Sequence, residues 1–178
     1  MQLTKTGKYH ISKTEIKKLI NNYYKQDFFK PSGFWYSIGP SWVKWKLNEG
    51  FNTKGIHKKG KEYYINKSLN IYKVKFYNKK YTTLPDDEKV LLVDTCDKLI
   101  KFDKKYSIKI RNRSFIEWKK VSQDYAGIEF RNFNKIKKEL KKINKKIVWY
   151  WAVDVDSGCI WRPSKVINKI DKLTDKNK

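Results

Sequence analysis

A single α+β domain is what this chain predicts, on three observations. Period-two and helical hydrophobic patterns are interleaved along 178 residues with no internal repeat. The strand-like segments are too irregularly spaced for a doubly wound parallel sheet. The 39% hydrophobic and 16% aromatic content is enough to fill one core, in spite of a formal net charge of +24. A domain over residues 1–169 is expected, followed by a charged, flexible tail over 170–178.

Lys8-Tyr9-His10-Ile11 reads as a short strand, and Ser12-Lys13-Thr14-Glu15 as a capping box opening a helix through Ile16, Leu19, Ile20, Tyr23 and Tyr24. Pro31-Ser32-Gly33 is a turn, and Phe34 to Ile38 a strand. Gly39-Pro40 breaks the chain before a helix with Trp42, Trp45 and Leu47 inward and Gly50 at its end. Residues 51–68 read as a lysine- and glycine-punctuated loop with a short strand near Tyr63 to Ile65. Tyr72, Val74 and Phe76 then alternate with Lys73, Lys75 and Tyr77 as a strand with one wet face does.

Val90-Leu91-Leu92-Val93 is a continuous apolar run, as expected of a central strand. Asp94-Thr95 caps a helix carrying Leu99, Ile100 and Phe102. A basic loop with Arg111 and Arg113 precedes a short helix marked by Phe115, Trp118 and Val121. A strand around Glu129 follows. Phe133, Ile136, Leu140, Ile143 and Ile147 line one side of an amphipathic helix with lysines around the other. Val148 to Asp154 reads as a strand that turns at Asp156-Ser157-Gly158 into a partner, Cys159-Ile160-Trp161.

The basic excess, 42 Lys and Arg against 18 Asp and Glu, comes almost entirely from lysine; the arginines are Arg111, Arg113, Arg131 and Arg162. Such a field attracts polyanions, DNA and RNA among them, but arginine-poor surfaces suit loose phosphate attraction better than base reading. Cys96 and Cys159 lie far apart, and His10 and His57 have no ligands at metal spacing, so neither a metal site nor a disulfide framework is expected. With no apolar run of membrane-spanning length and no signal peptide, a soluble intracellular setting (cytoplasm, nucleus or virion) is the expectation.

The residue that stands out is Glu129. In Asp124-Tyr125-Ala126-Gly127-Ile128-Glu129-Phe130 it is an acid among small and apolar neighbours. Either it alternates outward to water beside Arg131, or it is held in a cleft to do chemistry. Two other strand segments also carry polar groups in apolar settings: His10-Ile11-Ser12 and Trp35-Tyr36-Ser37.

This order of segments resembles the three-part site of the ADP-ribosyltransferase superfamily. The resemblance spans roughly residues 8–130. It implies a split mixed sheet around a cleft for NAD, which is the substrate. His10 would hold a ribose hydroxyl, Ser12 the nicotinamide amide, and Tyr36 with Trp35 would stack on the nicotinamide, supported by Ser37. Glu129 would act beside the bond that breaks, stabilising the oxocarbenium character that develops there. Gly127 stands two residues before Glu129, where the arginine-modifying branch has a second acid, so the implied acceptor is another protein side chain or a nucleic acid. The alternative is a non-enzymatic packaging-type protein, with lysines on phosphate and exposed aromatics on unpaired bases. The enzyme reading requires His10, Tyr36 and Glu129 to converge on one cleft.

Overall fold

A computed structural model of the chain describes residues 3–21, 30–49, 56–59, 62–65, 69–77 and 84–173, with only the backbone of 57–59 and 62–65. In chain order the first elements are β1 (Lys8–Ser12), β2 (Phe34–Ile38), α1 (Ser41–Asn48), β3 (Ile56–Lys59), β4 (Glu62–Ile65), β5 (Asn70–Phe76) and β6 (Val90–Val93). Next come α2 (Cys96–Tyr106), β7 (Ser107–Ile110), β8 (Arg113–Ile116), α3 (Trp118–Asp124), β9 (Gly127–Phe130) and α4 (Phe133–Lys142). The chain closes with β10 (Ser157–Ile160), α5 (Pro163–Val166) and β11 (Ile167–Lys172).

Seven strands form one mixed sheet in the order β11-β5-β1-β2-β10-β9-β6, in which β6 and β9 are the parallel pair. Hairpins β3-β4 and β7-β8 stand outside it. The expected single α+β domain with a mixed sheet and flanking helices is the architecture observed.

Strand alternation gives the sheet two faces with different cores. On one face Ile128 and Phe130 of β9, Cys159 of β10 and Val93 of β6 join Leu99, Trp118, Ile136 and Trp149 beneath the helices α2, α3 and α4. Further along the same face, Tyr9 and Ile71 pack with Val43 of α1 and with Ile56. The other face carries Tyr36, Val74, Ile160 and Ile167, packed with Ala126 and Val166. Thr95 caps α2 as its sequence predicts, its hydroxyl accepting from Lys98 N at 3.2 Å.

Several expected elements differ. Among the described residues through 21 no helix follows β1: Ser12 is the last paired residue of β1, opposite Asn70, and its hydroxyl donates to the Thr14 carbonyl, so it caps nothing. Residues 13–21 instead run without regular structure, with Ile16 N donating to the Tyr72 hydroxyl at 2.9 Å. Tyr23 and Tyr24 lie outside the described residues. Val90–Val93 is an edge strand paired with β9, and its apolar run is not covered on both faces: Val93 is buried while Leu92 stays 36% exposed.

Residues Val148–Val153 form a 3₁₀ helix, because Trp149 and Tyr150 are both drawn into one core, which alternation would forbid. Val148 and Trp151, on either side, are exposed. β10 therefore has no hairpin partner upstream; it lies between β2 and β9. Ile143 is exposed beyond the end of α4, and Ile170 to Lys172, expected in the frayed tail, complete β11 against β5.

Candidate functional site

Glu129 is held on a three-strand rung. Tyr36 of β2, Gly158 of β10 and Glu129 of β9 stand opposite one another in the antiparallel register. The Tyr36 ring crosses the bare Cα of Gly158, and its hydroxyl donates to Glu129 Oε2 at 2.6 Å. Lys8 Nζ lies 3.3 Å from the same oxygen, and Arg131 Nε donates to Oε1. Glu129 is 5% exposed and Tyr36 fully buried, so the acid of the apolar run is buried, satisfied by two hydrogen-bond donors and by the charge of the Lys8 ammonium. Of the alternatives from the sequence, the pairing with Arg131 is present, but the carboxylate is buried and does not face water.

His10 is stacked on Phe34 with ring centroids 4.6 Å apart, and its Nδ1 lies 2.6 Å from the Trp35 carbonyl. Desolvation by burial holds the imidazole below its ordinary pKa, against the opposing pull of that carbonyl. Ser37 is buried and donates to the Tyr9 and Gly39 carbonyls, a structural role at the end of β2. Ser12 and Trp35 line a cavity on the opposite face from Tyr36 and Glu129. Trp35 precedes Tyr36 on β2, and Ser157 precedes Gly158 on β10. Thus Tyr36 and Glu129 come together, while Ser12 and Trp35 belong elsewhere.

That cavity, about 470 Å³, lies between α1 and the strands β1, β2 and β10. Trp35, Trp42 and Trp45 wall it, with Lys13, Lys30 and Lys46 at its edge. A second hollow of about 690 Å³ adjoins it, sharing Trp45, Asp154 and Val155, and adds Lys5, Lys44, Lys135, Lys137 and the exposed Trp151. Lys137 Nζ sits 4.0 Å from the centroid of the Trp151 ring. The two together make a groove of indole rings flanked by ammonium groups, with Glu49, Asp154 and Asp156 as its acids.

Trp42 and Trp45, expected to face inward, are half-buried at the groove. The signal that would have found them is the alternation Trp42-Val43-Lys44-Trp45-Lys46, in which tryptophan shares a short helix with lysine. Gly158, read as a turn residue, gave no local sign of its place beneath Tyr36. Among the described residues no group of three or more His, Cys, Asp or Glu could hold a metal ion, and no helix is long and apolar enough to cross a membrane. Comparison with protein-family models, curated proteins and solved structures finds no match to this chain.

Proposed function

We propose that the protein binds single-stranded nucleic acid along the tryptophan–lysine groove, without catalysis. The observation that carries this reading is that the two hollows adjoin at Trp45, Asp154 and Val155, so that Trp35, Trp42, Trp45 and Trp151 lie along neighbouring surfaces lined with lysines. Bases stack on aromatic faces whatever their identity, and lysines track the backbone as point charges. The net charge of +24 supplies the attraction.

Titration of tryptophan fluorescence with short oligonucleotides tests it. Affinity is expected to fall with salt by about 0.7 log units per decade for each phosphate neutralised. Trp42→Ala or Trp151→Ala should cost roughly 1–3 kcal/mol of binding each. Binding that ignores salt, or that survives both substitutions unchanged, overturns the reading.

A second reading, the NAD-cleaving transferase, is favoured by one observation: Tyr36 and Glu129 are in contact at 2.6 Å. A ligand using them would have to displace the Tyr36 hydroxyl from the carboxylate. It would also approach from the face away from the groove. Release of nicotinamide from NAD, lost in Glu129→Gln, supports that reading; its absence in the unaltered protein dismisses it.

A further inference from the structure

We propose that the cavity beneath α1 is a guanine-selective base pocket in which the adjacent Lys30 and Asp154 side chains read the edge of the base. This rests on the groove reading and names the base that the groove takes at one end. The cavity, about 470 Å³, is of a size that holds small ligands, roughly 300–1,000 Å³. Three indoles give it flat apolar walls. At its lining, Lys30 Nζ stands 3.0 Å from Asp154 Oδ2.

An ammonium only donates and a carboxylate only accepts. Guanine alone among the common bases offers two neighbouring donors, N1–H and the N2 amino group, beside an acceptor, O6. The donors match the two oxygens of Asp154 and O6 matches Lys30. Adenine and cytosine would set a ring-nitrogen lone pair against the carboxylate, and uracil or thymine a carbonyl oxygen. The Lys30–Asp154 pair is itself exchangeable: the two side chains are 46% and 32% exposed, and ion pairs so exposed contribute about 0–1 kcal/mol.

The backbone supports a recognition role. Asp154 is the apex of a γ-turn closed by Val155 N donating to the Val153 carbonyl at 2.8 Å, with φ 67° and ψ −43°. That hand of γ-turn is rare and strained, and glycine would adopt it at less cost. An aspartate kept there projects a carboxylate onto the ledge shared by both hollows. Strain of this kind collects at ligand sites.

Tryptophan fluorescence titrations with guanosine, inosine and adenosine 5′-monophosphates, and with pentathymidylate carrying thymine, adenine or guanine at its centre, test the proposal. Guanosine monophosphate is expected to bind about tenfold more tightly than adenosine monophosphate, the discrimination of one bidentate base contact. Inosine monophosphate, which lacks the amino group, should fall between them. Asp154→Asn should erase the preference, and so should Asp154→Gly, which also relieves the positive φ and raises thermal stability. Preference among the mononucleotides alone assigns the pocket to a free nucleotide; preference in the pentamers as well assigns it to a residue within a strand. Equal binding of guanine and adenine forms, or a preference that persists in Asp154→Asn, overturns the proposal. If pentathymidylate still binds with its salt dependence, the groove reading survives that failure; if it does not bind, the groove reading falls separately.

Discussion

Replacing Gly158 with alanine should open the rung that holds Glu129. A Cβ built there meets Tyr36 Cζ and the Tyr36 hydroxyl oxygen at 2.3 Å and Cε1 at 2.7 Å, well inside any tolerable contact. The ring has little room to retreat, since it is fully buried and set edge-on to Phe76 at 5.5 Å. Overpacking of this kind costs about 1–3 kcal/mol. Pulling the hydroxyl off the carboxylate loses a hydrogen bond to a charged group, about 1.5–3 kcal/mol. Alanine recovers about 0.5–1 kcal/mol through its lower backbone entropy in a strand. The net expectation is a loss of roughly 2–5 kcal/mol. For a chain of this length it lowers Tm by roughly 4–20 °C.

Urea unfolding reads the loss as a fall in the midpoint at unchanged slope. In a Tyr36→Phe background the alanine should cost less, because the hydroxyl oxygen it would strike is gone. The double-mutant cycle should therefore show coupling of about 1 kcal/mol or more. A Gly158→Ala protein as stable as its parent, or strict additivity in the cycle, would refute the crossing of Tyr36 over Gly158.

Three further outcomes are expected. Burial lowers the His10 pKa below its ordinary 6.5, so the unfolded chain takes the proton more readily than the folded one. Stability should fall as pH drops through 6.5 and level off below the folded value; His10→Gln should flatten that part of a urea-midpoint-versus-pH curve. The Tyr150 hydroxyl is buried with no hydrogen-bond partner among the described residues, so Tyr150→Phe should gain about 1 kcal/mol in chemical unfolding. Glu129→Gln removes the charge facing Lys8 and Arg131 and should destabilise by about 1–3 kcal/mol, while oligonucleotide affinity and its salt slope stay unchanged.

Elements set by local signals are legible in the sequence. Thr95 before an apolar-periodic run, the alternation of β5, and the apolar stripe Phe133, Ile136 and Leu140 on α4 each depend on neighbours within a few residues. Elements that depend on partners far along the chain are not legible locally. Ser12 resembles a helix cap until Asn70 claims it for a strand, and Val148–Val153 resembles a strand until two consecutive aromatics are buried together. Glu129 announced itself as an acid out of place. Its Tyr36 and Lys8 partners come from more than ninety residues upstream, and the empty position of Gly158 that lets Tyr36 through is invisible without the register. The groove is not legible because Trp42 and Trp45 follow a helical spacing that a buried stripe would also produce.

The order of strands also sets a timetable for synthesis. Val74 of β5 pairs with Ile170 of β11, and Tyr36 of β2 faces Gly158 of β10. Both the outer cover of β5 and the strand that joins the two halves of the sheet therefore come from the last quarter of the chain. At ~5–20 residues per second, the 96 residues from Val74 to Ile170 leave a nascent β5 waiting about 5–20 s for its neighbour. Lys73 and Lys75 punctuate that strand, and like charges there discourage two growing chains from zipping to each other during the wait.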